Sequence, residues 1–311
     1  MKRILKNMLS TSLPLRISKG NRFVFVLHEV SDQIPNPYAP DYSTSIALFR
    51  KQIDLLSELF DIISLDRLVS DSELDPTKNY AALTFDDGYM GVFENARPIL
   101  KSQNIPYAVF FNKSAVESNQ LWVSNAELSV DNVEYIAGLL KAAKCSLKDD
   151  QDAIRHIVAN GSFDDQFLTA SKLPPQQNKI YMGVEEIQQL VSDQVLIGNH
   201  SSDHLVLSRC SDPGLLHSQI KESQVFLNGI TKKEISHFAI PFGHKTDYNE
   251  ATIAEALASG HKYIYTTNPN RLKLKKLTKK PFLIPRIGID NRSLKEILFY
   301  INRTLIKNYD L

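Results

Sequence analysis

Short apolar runs rich in strand-forming residues recur along the chain, at residues 23–30, 61–65, 81–85, 107–111, 195–199, 237–242, 263–267 and 282–287. Helical patterns lie between most of them. Phe49, Ile53, Leu56 and Phe60 fall at i, i+4, i+7 and i+11, with Ser45 placed to cap the start. Asp212 and Pro213 read as the N-cap and first-turn proline of a helix running to about Asn228. Leu294, Ile297, Leu298, Ile301 and Leu305 make the apolar stripe of a final helix. Strands alternating with helices predict parallel βα units, and about eight strands over this length suit a barrel better than an open sheet.

One segment breaks the rhythm. Residues 112–180 are polar and mostly helical in pattern, around Val133, Ile136, Leu139 and Leu140 and again over 153–158, with a Pro174-Pro175 break. This predicts a helical insertion after the strand at 107–111, and insertions of that kind commonly shape a substrate site. The expected organisation is an N-terminal extension at 1–20 and one barrel over 21–311, with the insertion at about 112–180.

Composition is that of a soluble globular protein: 311 residues, 43% hydrophobic, 23% charged and a net charge of +1. Such a balance argues against a dedicated nucleic-acid binder. Cys145 and Cys210 are the only cysteines, too few for a disulfide framework. No apolar run approaches the ~18 residues of a membrane span. The N-terminal stretch is basic, but Lys6, Asn7, Ser10, Thr11 and Ser12 interrupt any secretory core. A cytoplasmic protein is therefore expected, with a weak amphipathic anchor at the inner membrane face as the alternative. Residues 271–280 carry six cations in ten positions. They read either as a solvated loop or as a patch for anionic headgroups and phosphates, a peripheral membrane contact.

The chemistry concentrates where these runs end. Residues 81–85 lead straight into Asp86, Asp87, Gly88 and Tyr89. Strand side chains alternate, so both carboxylates reach one rim only if the backbone turns, and Gly88 supplies that turn. Two crowded acids repel unless a cation or proton relieves them, which suggests one carboxylate on a metal and its neighbour handling protons. The plain alternative is a solvated Asp-Asp-Gly turn. His200 ends another apolar run and His204 follows four residues later, a spacing at which two imidazoles can share one ion. His28, Pro241 with Phe242, and Arg286 also lie at or near run ends. Five unrelated segments delivering such residues to a single rim are hard to explain by packing, because barrels gather their catalytic groups at the C-terminal ends of their strands.

Thr84-Phe-Asp-Asp-Gly88, His200-Ser-Ser-Asp-His204 and Phe238-Ala-Ile-Pro-Phe-Gly243, in that order, resemble the first three motifs of the polysaccharide deacetylase family, carbohydrate esterase family 4. Residues 181–187 and 263–267 are similar to its connecting segments, and the likeness covers about residues 21 to 290 apart from the insertion. The resemblance implies a distorted (β/α) barrel of about seven to eight parallel strands. It also implies removal of acetyl groups from N- or O-acetylated sugars with a divalent metal, most often Zn2+. Asp86 is then the general base, and Asp87, His200 and His204 are the metal ligands. The Phe242 backbone N–H stabilises the oxyanion, and Ser201 orients a ligand. Tyr89, Pro241 and Trp122 are assigned to the substrate; for Trp122 sugar stacking and core packing both remain open. His244 is a further cleft-lining candidate.

Two departures stand out. The third motif usually carries an arginine where this chain has Ala239, and Arg286 is the candidate replacement for steadying Asp86. The last motif usually supplies a histidine acid, and residues 281–290 have none. Some members carry a Tyr-His pair at the end of an early strand; residues 26–30 are similar, with Leu27 for the tyrosine, and this assigns the acid to His28. The expected function is a metal-dependent hydrolase that removes acetyl from a sugar conjugate in cell-surface polysaccharide synthesis. The alternatives are a deformylase on a lipid-linked amino sugar, or an inactive saccharide-binding protein.

Overall fold

The computed structural model describes residues 19–32, 42–71, 73–123, 133–145, 153–172, 178–272 and 282–306. The N-terminal stretch, the Pro174-Pro175 break and positions 273–280 of the basic run lie outside the described residues. Its strands are β1 (Arg22–Leu27), β2 (Glu29–Val30), β3 (Ser43–Thr44), β4 (Asp61–Ile62), β5 (Tyr80–Phe85), β6 (Tyr107–Phe111), β7 (Leu196–Asn199), β8 (His237–Ala239), β9 (Tyr263–Thr266), β10 (Phe282–Pro285) and β11 (Ile287–Gly288). The main sheet runs β10-β9-β8-β7-β6-β5-β1-β11, and every pairing in it is parallel.

β10 and β11 are two pieces of one segment, broken at Arg286. Its first half pairs with β9 and its second half with β1, Phe25 opposite Ile287. The path thus returns on itself as a nearly closed (β/α) barrel, and every strand points its C-terminal end at the same rim. β1, β5 and β6 are buried at every position, as expected of strands covered on both faces. Alternation sorts them. Phe25, Leu27, Leu83, Phe85, Val109 and Phe111 pack outward on Phe49, Ile53 and Leu56 of the helix Ile46–Leu59 and on Ile297 and Ile301 of the helix Leu294–Ile306. Val24, Ala82, Ala108, Phe110, Ala239, Tyr265 and Ile284 form a separate cluster with Leu65 and Leu68.

Both helices follow the sequence pattern. Ser45 accepts the Leu48 N–H at the start of the first. Gln52 on its buried face donates to Ile289 O and Arg292 O, 2.9 Å each, which ties the closing segment down. Asp212 caps Pro213–His217, and the helical path continues to Thr231. Two expectations change. The run at 61–65 contributes only the two residues of β4, which pairs with β5 off the main path, because Ser64 already caps the helix Leu65–Ser70. The run at 23–30 breaks at His28, and β2 leaves the barrel to pair with β3.

Between β6 and β7 the chain forms the helices Lys113–Ser118, Val133–Ala142, Ala153–Asn160, Asp165–Ala170 and Val184–Ser192. Trp122, Leu139, Ile157, Phe163 and Phe167 pack with Leu205, Val206 and Leu207, so these helices brace the loop after β7. Among the described residues no helix is long and apolar enough to cross a membrane.

The buried acid Glu29 makes no ion pair among the described residues. Burial, then the Glu94 carboxylate, raise Glu29 to about 8, against the pull of the Gly91 N–H. An acid raised in the folded state stabilises below its unfolded value of 4.5, and that contribution is lost as pH rises toward 8. Glu29→Gln should flatten this decline in urea midpoints measured between those limits. Gly91 leaves room for the acid: a Cβ there would lie 1.8 Å from Glu29 Oε1 and 2.5 Å from Val30 O. Gly91→Ala should therefore cost about 2 kcal/mol in the same unfolding assay.

Candidate active site

The rim of the barrel opens into a cleft of about 660 Å³ lined by His28, Asp86, Asp87, Tyr89, His200, His204 and Phe242, among others. Asp86 follows β5 directly and keeps the inward phase of Thr84. Asp87 then takes φ 65 and Gly88 φ 75. The turn therefore begins one residue earlier than glycine preference suggests, on a non-glycine residue, which brings the second carboxylate onto the rim beside the first. Gly88 is still required, since a Cβ there would come within 2.5 Å of the Phe111 ring. Ser201, His204 and Phe242 also adopt positive φ. Such strain persists only where surrounding structure holds it, and it clusters at functional sites.

Asp87, His200 and His204 offer ligand atoms that all lie within 4.8 Å of one another. Asp87 Oδ1 stands 3.4 Å from His200 Nε2 and 3.5 Å from His204 Nε2. That oxygen is buried and has no hydrogen-bond partner, a costly state unless a cation takes it. His200 Nδ1 is 2.8 Å from Ala239 O. Nδ1 must be the protonated nitrogen there, so Nε2 presents its lone pair to the cluster. Burial lowers His204 to about 4, although Asp87 pulls the other way, so its ring is neutral at neutral pH. Two imidazoles and one carboxylate fit a divalent ion such as Zn2+.

The loop that carries both histidines is fixed from several sides. Ser201 Oγ accepts the His204 N–H at 3.2 Å, and Ser201 N–H donates to Asn199 Oδ1 at 3.0 Å. Gln219 takes the Asp203 N–H at 2.9 Å and donates to its carboxylate at 2.6 Å. Asn112, at the end of β6, donates to His200 O. None of Asn112, Asn199 or Gln219 carries a motif signal.

Arg286 comes from the break between β10 and β11 and is fully buried. Its Nη1 and Nη2 each donate to one oxygen of Asp86 at 2.7 Å. Phe110 and Tyr265 place their rings 5.5 and 5.9 Å from the guanidinium, and Thr84 Oγ1 lies 3.3 Å from Nη1. Burial pushes Asp86 up, but Arg286, His200 and His28 outweigh it and hold the acid down to about 2. Ala239, where the motif usually has arginine, is a buried wall residue of β8.

Across the cleft, His28 Nδ1 pairs with Asp290 Oδ2 at 2.8 Å, and the His28 N–H donates to Asp290 Oδ1 at 2.7 Å. Burial opposes charge on the ring, yet Asp290, Asp87 and Asp86 overcome it and raise His28 to about 9. The Tyr42 ring lies edge-on to it at 5.1 Å. Asp290 was not among the sequence candidates. It ends the closing segment just as Asp86 ends β5, so its position at a strand end was the available signal.

The remaining candidates divide. Phe242 packs on the His204 ring at 4.5 Å and lines the cleft, and no described residue accepts its N–H. Tyr89 lines the cleft with its ring 4.9 Å from Tyr181. Exposed His244 also reaches the lining. Trp122 does not. It is 3% exposed, stacks edge-on with Phe167 at 5.2 Å and donates Nε1–H to His204 O at 3.0 Å. Of its two readings, packing is the one the burial matches, and no face is left for a sugar. Pro241 is likewise buried and absent from the lining, because the positive φ at Phe242 and Gly243 turns the chain inward there.

Breaking the Asp86–Arg286 pair should be severe. Arg286→Met leaves a buried, unpaired carboxylate, so a loss of about 3 kcal/mol is expected in chemical denaturation. Arg286→Met with Asp86→Asn should recover part of it.

The polysaccharide deacetylase family matches residues 73–264. No functionally curated protein matches the chain by sequence. Among solved structures, the fold is similar to a Streptococcus pyogenes deacetylase, PplD, in complex with acetate: 16% identity, 93% of this chain and 100% of that one, TM-score 0.62. It is also similar to IcaB from Ammonifex degensii (15%, 91% and 98%, 0.62). A de-N-acetylase from Aggregatibacter actinomycetemcomitans is a third (16%, 90% and 99%, 0.62). With a family match over more than half its length on a barrel of the same fold, this chain belongs to the polysaccharide deacetylase family.

Proposed function

We propose that the chain is a metal-dependent hydrolase that removes an acetyl group from an amino-sugar conjugate in cell-surface polysaccharide synthesis. The observation that carries this reading is the pairing of opposite environments across one cleft. Arg286 holds Asp86 down to about 2 while Asp290 leads the carboxylates that raise His28 to about 9. At neutral pH one group is a base without its proton and the other an acid that still has one, the division of labour that general acid–base hydrolysis needs.

Asp87, His200 and His204 would hold the metal, and a bound divalent ion supplies Lewis-acid polarisation of an acyl oxygen and a lower pKa for nearby water. Asp86 takes the proton of the attacking water as the new C–O bond forms, with Arg286 keeping its carboxylate in one orientation. The Phe242 N–H faces the developing oxyanion, where a preorganised donor counts most. His28 gives its proton to the leaving sugar nitrogen as the C–N bond breaks, releasing amine and acetate. Asp290 fixes the ring so that Nε2 is the nitrogen that delivers. The solved relative held with acetate, and the one named as a de-N-acetylase, support the choice of acyl group.

Acetate release from N-acetylated oligosaccharides is the direct test. Chelator should abolish it and zinc restore it, and Asp86→Asn should lower kcat at least about a hundredfold. Unchanged turnover in either condition removes the mechanism, and formate release in place of acetate moves the substrate to a formylated sugar. The pH profile is a second check. His28 loses its proton as pH rises through about 9, so kcat/KM should fall there, and His28→Ala should lower activity and erase that alkaline limb.

A further inference from the structure

Resting on the hydrolase reading above, we infer that the substrate carries an anionic group, a phosphate or a carboxylate, which Arg292 and Arg303 bind at the wall of the cleft opposite the β7 loop. Both arginines line the cleft together with Glu296 and Tyr300. Glu296, Tyr300 and Arg303 fall at i, i+4 and i+7 of the helix Leu294–Ile306, which puts them on one helical face.

Arg292 is positioned before any ligand arrives. Its Nε donates to Gly288 O at 2.8 Å and its Nη1 to Tyr300 Oη at 3.1 Å, with the guanidinium 4.4 Å from the Tyr300 ring centre. The rest of the fork is bonded to no described residue, and no carboxylate among the described residues pairs with it or with exposed Arg303. This is unusual for a guanidinium in a cleft rich in acids. The other acids are engaged: Asp86 by Arg286, Asp290 by His28, and Asp87 in the three-ligand cluster. Glu296 accepts from Ser293 N–H and Oγ–H at 3.1 and 2.9 Å, at the start of its own helix.

Two guanidinium forks therefore face the cleft, while its acids Asp86 and Asp290 are held by Arg286 and His28. Guanidinium matches the planar or tripodal oxygens of carboxylate and phosphate, with two parallel bonds where lysine offers a point charge. A neutral acetylated sugar offers such a wall hydroxyl and carbonyl acceptors but no opposite charge. The charged group would sit on the acetylated sugar itself or on its neighbour.

Titration calorimetry on the metal-loaded protein tests this with N-acetylglucosamine, N-acetylglucosamine 1-phosphate and N-acetylmuramic acid. At least one charged sugar should bind about tenfold tighter than the neutral one, the value of one charge-assisted pair. Whichever wins names phosphate or carboxylate, and the advantage should shrink as salt is raised. Arg292→Gln with Arg303→Gln should bring the charged and neutral constants together. Arg303→Gln alone, at an exposed position that leaves the Arg292 bonds in place, should close part of the gap in a protein that still melts cooperatively. Equal binding of all three sugars by the unaltered protein, or a preference that survives the double variant, overturns the inference. An arginine-dependent preference in a protein that releases no acetate leaves this site standing and removes the hydrolase reading instead.

Discussion

The buried ion pair between Arg286 and Asp86 is the constraint around which the rest of the site is arranged. A guanidinium this deep is tolerated only when its charge and donors are met, and two 2.7 Å bonds with flanking aromatic rings meet them. The pair fixes the carboxylate against rotation and keeps it ionised. It also locks the closing segment to β5, because the two partners lie 200 positions apart in the chain. The orientation of Asp86 and the closure of the barrel thus share one contact.

That contact explains the broken strand. Phe282–Pro285 belongs to β9 and Ile287–Gly288 to β1, so the residue between them leaves one ladder and enters another. Its side chain is committed to the interior, where small Ala82, Ala108 and Ala239 line the same cluster. Position 239 is a buried alanine, and the guanidinium that meets the Asp86 carboxylate comes from the closing segment.

Much of this was legible from local pattern. Apolar runs marked all the long strands, and residues just beyond them marked the rim, because parallel strands leave only their ends free for polar groups. That rule puts Asp86, Asp87, His200, His204 and Phe242 at the rim, where they line the cleft, whereas Arg286 lies within its run and meets Asp86 from the interior. What it missed depends on partners distant in sequence. Asp290 has no neighbouring motif, and its role appears only when the closing segment meets β1. Trp122 looked available because a lone tryptophan in a polar insertion carries no sign of what covers it; Phe163 and Phe167 do. The two-residue β4 was over-read, since a run of apolar residues does not reveal that Ser64 has already started a helix.

The closing segment has a further consequence. His28 stands at the end of the first strand and Asp290 at the end of the last, 262 residues away, whereas the three-residue cluster and Asp86 are all supplied by the middle of the chain. His28 is therefore made first and its carboxylate partner last, after Asp86, Asp87, His200 and His204 are all in place along the chain. The His28–Asp290 pair thus forms only where the two ends of the domain meet, beside the β1–β11 ladder that closes the barrel.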